Sequence, residues 1–148
     1  MGLKVPSSLK AEHKELHSEL AKAIESGGDT GKAAEAVAEA LHSHFLKEEE
    51  YALPELGILP ALAEGKVSED MRPAIDMANR LKADLGKMLQ EHKAIVTALK
   101  HLSEAAKREN KPKAIHFSEK LAAHAQTEEE VLYPASILVG EYLKLKLQ

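Results

Sequence analysis

The chain has 148 residues, a net charge of −4, eight histidines and no cysteine. That length is one ordinary domain, 1–148, with room for a core that needs no staples. Without cysteine, disulfides, thiolate nucleophiles, iron–sulfur clusters and thiol-rich zinc sites are excluded, so a metal must use imidazole and carboxylate; no basic block is large enough for a nucleic-acid footprint.

Periodicity predicts four long helices. The first runs from about Ser8 to Glu25 and stops at Gly27-Gly28. The second starts near Thr30 as N-cap and continues to about Leu53, where Pro54 ends it. The third begins after Ser68, carries Pro73 in its first turn and closes at Asn110 and Pro112. The fourth runs from about Pro112 to Tyr133, where Pro134 interrupts it. Short apolar pieces follow the prolines, Leu56 to Ala63 and Ile137 to Leu147, and the early half of the long third helix is expected to pack against them. No segment alternates with period two. Met1 to Glu12 does not read as a signal peptide, and the longest apolar run, Val131 to Val139, is too short for a bilayer. The expectation is a cytoplasmic protein with no membrane and no nucleic-acid partner.

The chain also repeats itself. Glu12-His13-Lys14 returns as Glu91-His92-Lys93, and the segment from His44 to Pro54 returns from His124 to Pro134 with the Glu-Glu-Glu run in register. Two helical hairpins of one design predict an all-α, up-down-up-down four-helix bundle with short extra helical pieces after the second and fourth helices.

On the apolar stripes the interruptions fall at one level. The first helix reads Leu9, His13, Leu16, Leu20; the second Val37, Leu41, His44, Glu48. The third reads Leu85, Met88, His92, Ile95, and the fourth Phe117, Leu121, His124, Glu128. Unpaired buried carboxylates cost several kcal/mol each, ~3–5 kcal/mol when a partner is missing, so two of them with four imidazoles make sense around cations. Residues four apart share a helical face, so each His-x-x-x-Glu unit offers a nitrogen to one ion and a carboxylate that reaches the next. His42, His101 and His116 lie out of phase and read as solvated. His17, one turn after His13, is ambiguous between ligand and boundary residue. Glu49, Glu91 and Glu129 read as exposed rather than as groups orienting the histidines, and Tyr51 reads as a core residue whose hydroxyl is in reach of the pocket.

The order His13, His44-x-x-x-Glu48, His92, His124-x-x-x-Glu128 on successive helices, each pair followed by a proline, resembles the hemerythrin-like, HHE cation-binding family. The resemblance covers Ser8 to Pro134. It implies a four-helix bundle around two non-haem irons, held by His13, His44, Glu48, His92, His124 and Glu128, with both glutamates and an oxo or hydroxo group as bridges. The oxygen-carrying hemerythrins place two histidines four apart on the third helix; here Met88 and Val96 flank His92 at that spacing. Their last carboxylate is an Asp five residues after its His, whereas Glu128 is four after His124. Six protein ligands and one bridge fill about ten of about twelve octahedral positions, leaving room for a small diatomic or peroxide. The expected function is binding of, or reaction with, O2, peroxide or NO. The rival readings are a non-catalytic iron- or redox-sensing bundle acting through a partner protein, and a metal store or zinc-binding structural bundle; whether the chain pairs with itself or another protein is left open.

Overall fold

The computed structural model describes residues 3–148, and among these there is no strand. Helices α1 (Ser7–Glu25), α2 (Gly28–Lys47), α4 (Pro73–Arg108) and α5 (Pro112–Thr127) form the bundle. Each packs on two neighbours in a ring: α1 on α2 and α5, α4 on α2 and α5. Two short pieces complete it. After Pro54 the chain makes a 3₁₀ turn (Pro54–Ile58) and α3 (Leu59–Ala63); after α5 comes α6 (Tyr133–Lys146). The predicted bundle and its extra pieces are therefore present, and Asn110, in the left-handed region at φ 57°, closes α4 as a C-terminal stop.

Two boundaries differ from the sequence reading. Helix α2 begins at Gly28, with Thr30 inside its first turn. Its open N–H groups are met from another helix end: the Glu109 carboxylate accepts from Asp29 N–H at 3.1 Å, Thr30 N–H at 2.8 Å and the Thr30 hydroxyl at 2.6 Å. A local cap is unnecessary when a distant acid supplies the acceptors. Pro134 does not interrupt the fourth helix. Residues Glu128–Leu132 form a π-helical turn and the Tyr133 N–H reaches back five residues to the Glu128 carbonyl. Pro134 then sits in the first turn of α6, where a missing N–H is harmless. Glu48–Ala52 makes the same turn in α2, with the Leu53 N–H bonded to the Glu48 carbonyl at 2.9 Å.

The core is divided along the bundle. Toward the α1–α2 and α4–α5 connections lie Leu16, Leu20, Val37, Leu41, Ile95, Leu99, Leu102, Phe117 and Leu121. At the other end Tyr51, Leu53, Leu56, Leu81, Met88 and Tyr133 cluster. Beyond them Ile58, Met71, Ala74, Val139 and Leu143 join the first turns of α4 to the two extra pieces, as expected for its early half. There α6 lies close on α4: a Cβ at Gly140 would stand 2.3 Å from that of Ala78. Only Gly permits this approach. No described helix is long and apolar enough to cross a membrane.

Candidate metal centre

Between the two halves of the core lies a polar layer. His13, His44, Glu48, His92, His124 and Glu128 are all buried, none more than 5% exposed. The six predicted residues meet there, one histidine from each bundle helix. They form two overlapping groups: His44, Glu48, His92 and Glu128 in one, His13, His124 and Glu128 in the other. In the first, His44 Nε2 stands 2.8 Å from His92 Nε2 and 3.4 Å from Glu48 Oε2, and His92 Nε2 is 3.2 Å from Glu128 Oε1. In the second, His13 Nε2 is 3.1 Å from His124 Nε2, and Glu128 Oε2 is 3.1 Å from His124 and 3.6 Å from His13. Glu48 Oε1 approaches His13 Nε2 at 3.6 Å. Glu128 thus touches both groups with separate oxygens, and Glu48 leans from the first toward the second.

Three further carboxylates reach the histidines from outside. Glu91 Oε1 accepts from His44 Nδ1 at 2.9 Å, Glu129 Oε1 from His92 Nδ1 at 2.9 Å, and Glu12 Oε1 from His124 Nδ1 at 2.5 Å. Glu91 is itself tied to Lys47 at 2.6 Å. Glu91 and Glu129 therefore orient histidines rather than merely facing solvent, which corrects the sequence reading. Glu12 was not singled out, although its place beside His13 repeats that of Glu91 beside His92. His13 has no such partner among the described residues; its ring stacks on Phe45 at 4.6 Å.

These outer bonds fix the tautomers. A carboxylate only accepts, so each anchored Nδ1 carries a hydrogen and the neutral ring presents a bare Nε2. With both rings neutral, His44 and His92 would bring two lone pairs within 2.8 Å; burial favours the neutral His44 ring, but Glu48, Glu91 and Glu128 outweigh it and raise the imidazole. Facing lone pairs repel unless a proton or a metal cation lies between them, and a cation would displace the proton. The family model described as the hemerythrin HHE cation binding domain matches residues 4–136.

The chain belongs to that family. No curated protein and no solved structure matches it. Membership in a cation-binding family agrees with the chemistry of the donors. Two ligand atoms at right angles around an ion with bonds of ~2.1 Å stand ~3.0 Å apart, and the spacings above, 2.8–3.6 Å, cluster about that value. Glu48 Oε1 is buried without a hydrogen-bond partner among the described residues, and it lies 3.6 Å from His13 Nε2, within the layer of residues that could hold a cation.

A residue absent from the predicted set sits in the HHE layer. Tyr133 is fully buried. Its hydroxyl donates to Glu48 Oε2 and lies 3.1 Å from both His44 Nε2 and His92 Nε2, with Glu128 Oε1 at 3.5 Å. Helical phasing hides it. Residues five apart on an α-helix point about 140° apart, so Tyr133 falls off the Glu128 stripe. The π turn between them underwinds the chain and brings the ring back to that face. The only clue in the sequence was its position five residues after Glu128 and just before a proline. Tyr51, the tyrosine that was considered, points elsewhere. Its hydroxyl donates to Asp84 at 2.8 Å and Arg80 lies over its ring. His17 is exposed and meets Phe45 edge-on, a boundary residue. His42, His101 and His116 are exposed, as expected.

The electrostatics are those of a crowded polar layer. Burial, reinforced by the neighbouring Glu128, pushes the Glu48 carboxyl up to about 7. Glu128 is held well below its ordinary value: burial opposes this, but Glu48 and the three histidines around it prevail. Burial pulls His124 down, yet Glu128 and Glu12 outweigh it and raise the imidazole to about 9. Burial together with the two carboxylates drives the Tyr133 phenol strongly upward. Metal-free, the layer keeps protons that a cation would displace. A surface groove lined by Lys22, Ser26 and the Lys111–Ala114 segment lies at the opposite end of α1 and α5 and contains none of these groups.

Proposed function

We propose that the chain binds two non-haem iron ions in this layer, bridged by an oxo or hydroxo group, and uses them to bind or react with a small oxidant such as O2, peroxide or NO. His44 and His92 would hold one ion and His13 and His124 the other, with Glu48 and Glu128 spanning both. The observation that carries this reading is the pair of carboxylate-anchored imidazoles whose Nε2 atoms stand 2.8 Å apart beside the buried Glu48 and Glu128. Bound iron supplies a redox-active Lewis acid to which a diatomic or peroxide can add.

The chain's own residues do the rest. Glu91, Glu129 and Glu12 keep three imidazoles in the ligating tautomer. Tyr133 adds an oxygen beside His44 and His92 and donates to Glu48. The His13, His124 and Glu128 group offers three residues against four in the His44 group, so an ion held there would have more room for an exogenous ligand. Phe45, stacked on His13 at 4.6 Å, sets an apolar ring beside that side of the layer.

Imidazole and carboxylate donors do not by themselves choose iron over zinc or manganese. Metal analysis and an absorption spectrum of aerobically purified protein test that choice. About two irons per chain with oxo-bridge absorption is the expected result, and a single colourless zinc would sink the reading. Peroxide consumption and NO binding then separate a reactive centre from a sensing or storage bundle, since inertness to both favours the latter.

A further inference from the structure

Helix α6 carries apolar side chains on its outer as well as its inner side, with Glu141, Lys144 and Lys146 confined to its last two turns. One side meets the bundle: Tyr133, Ser136, Gly140 and Leu143 are buried. The opposite side is bare. Leu138 is 66% and Leu145 72% exposed, and Val131, one turn upstream, is 56% exposed. With half-buried Ala135 and Tyr142 they step along the chain as 131, 135, 138, 142, 145, the alternating four-and-three spacing of a helix seam. Of the five large apolar side chains exposed among the described residues, Leu46 alone lies away from this face; the fifth, Leu59, borders it across a groove. Single exposed leucines are ordinary, but an aligned row of them marks an interaction surface.

We propose that this face closes on the same face of a second copy of the chain, the two α6 helices running antiparallel about a twofold axis through Leu138. The surface carries both halves of the fit. Beside Leu138 runs the groove lined by Leu59, Leu62, Ala63, Ala135 and Tyr142, a seat for the leucine of the other copy, and a twofold operation fills both seats at once. The charges agree with the antiparallel sense. The last turn of α6 carries Lys144, paired with Glu141 at 3.1 Å, and Lys146, over the Tyr142 ring, and the exposed Glu130, which accepts from Gln126, lies just before the start of α6. Antiparallel pairing sets each basic end beside the other copy's Glu130, whereas parallel pairing aligns like charges. The interface involves no residue of the polar layer's ligand set, so its failure and that of the iron reading are separate results.

Sedimentation of the metal-loaded chain over a range of concentrations reads the proposal directly. The expected result is a dimer that dissociates on dilution, and Leu138→Glu should be monomeric at every concentration while keeping the parent's helical signal and metal content. Glu130→Lys should weaken association about fivefold, and the combination with Lys144→Glu and Lys146→Glu should restore it. Because the chain has no cysteine, single introduced thiols are clean reporters even where Leu138→Glu fails to fold. Under mild oxidation Leu138→Cys should form a covalent dimer and Leu145→Cys, which faces Val131 across the axis, should not. A parent that stays monomeric at high concentration, a dimer unaffected by Leu138→Glu, or equal cross-linking through both positions would overturn the proposal.

Discussion

The two hairpins of the bundle repeat each other closely at the polar layer and then diverge. His44 and Glu48 match His124 and Glu128, and each glutamate opens a π turn that ends before or at a proline-led segment. After the match, Leu53 stands where the second hairpin has Tyr133, Phe45 where it has Ala125, and Glu55 where it has Ala135. The result is a site with near-twofold ligands and an unsymmetrical shell. The His44–His92 side has both rings anchored by carboxylates and a tyrosine oxygen beside them. The His13–His124 side has one anchored ring and one stacked on Phe45. The near-twofold donors form two groups that could each hold a cation, and their surroundings differ.

The largest effect should come from removing what the two sides share. Glu128 touches three histidines and the Tyr133 hydroxyl, so Glu128→Ala should empty both positions, a loss of affinity of more than about 100-fold read by metal titration. If one ion stays tightly bound, the shared role of Glu128 is wrong. Next are the outer carboxylates, which should act on one side each. Glu91→Ala should weaken the His44–His92 position and Glu12→Ala the other, each by about 10–100-fold. Two-step metal titrations resolve them, and equal losses at both steps would erase the distinction drawn between the sides.

The Glu55 position separates the hairpins in stability. Its carboxyl is fully buried, neither oxygen has a side-chain partner among the described residues, and burial, opposed by its own backbone N–H, raises it from 4.5 to about 8. The folded state therefore holds this proton more tightly than the unfolded chain. The stability it contributes is complete below about 4.5 and is lost as pH rises through about 8. Glu55→Gln removes that dependence. It should leave stability near pH 4 little changed and raise it near pH 9 by on the order of 2 kcal/mol, after relaxation around the charge is allowed for. Denaturant melts at the two pH values check this, and a constant difference between parent and variant would contradict it. The smallest effect should come from Tyr133→Phe. Losing one donor to Glu48 should lower affinity on the His44–His92 side by roughly threefold to tenfold and shift the absorption of the iron-loaded protein, with little change at the other position.

The sequence alone determined the helices, their order and the six polar residues of the layer. Each of those signals is periodic and local: a histidine or glutamate in phase with an aliphatic stripe must point where the stripe points. The internal repeat then implied that the four stripes meet at one height. Tertiary structure decided what periodicity cannot carry. Glu12, Glu91 and Glu129 reach their imidazoles across helix boundaries, and a contact between helices leaves no trace in the spacing of either. Tyr133 entered the layer only because a π turn broke the phase used to read it. The course of the chain past Pro134 depended on the same underwinding, since a proline stops a helix only where its missing N–H would have been needed.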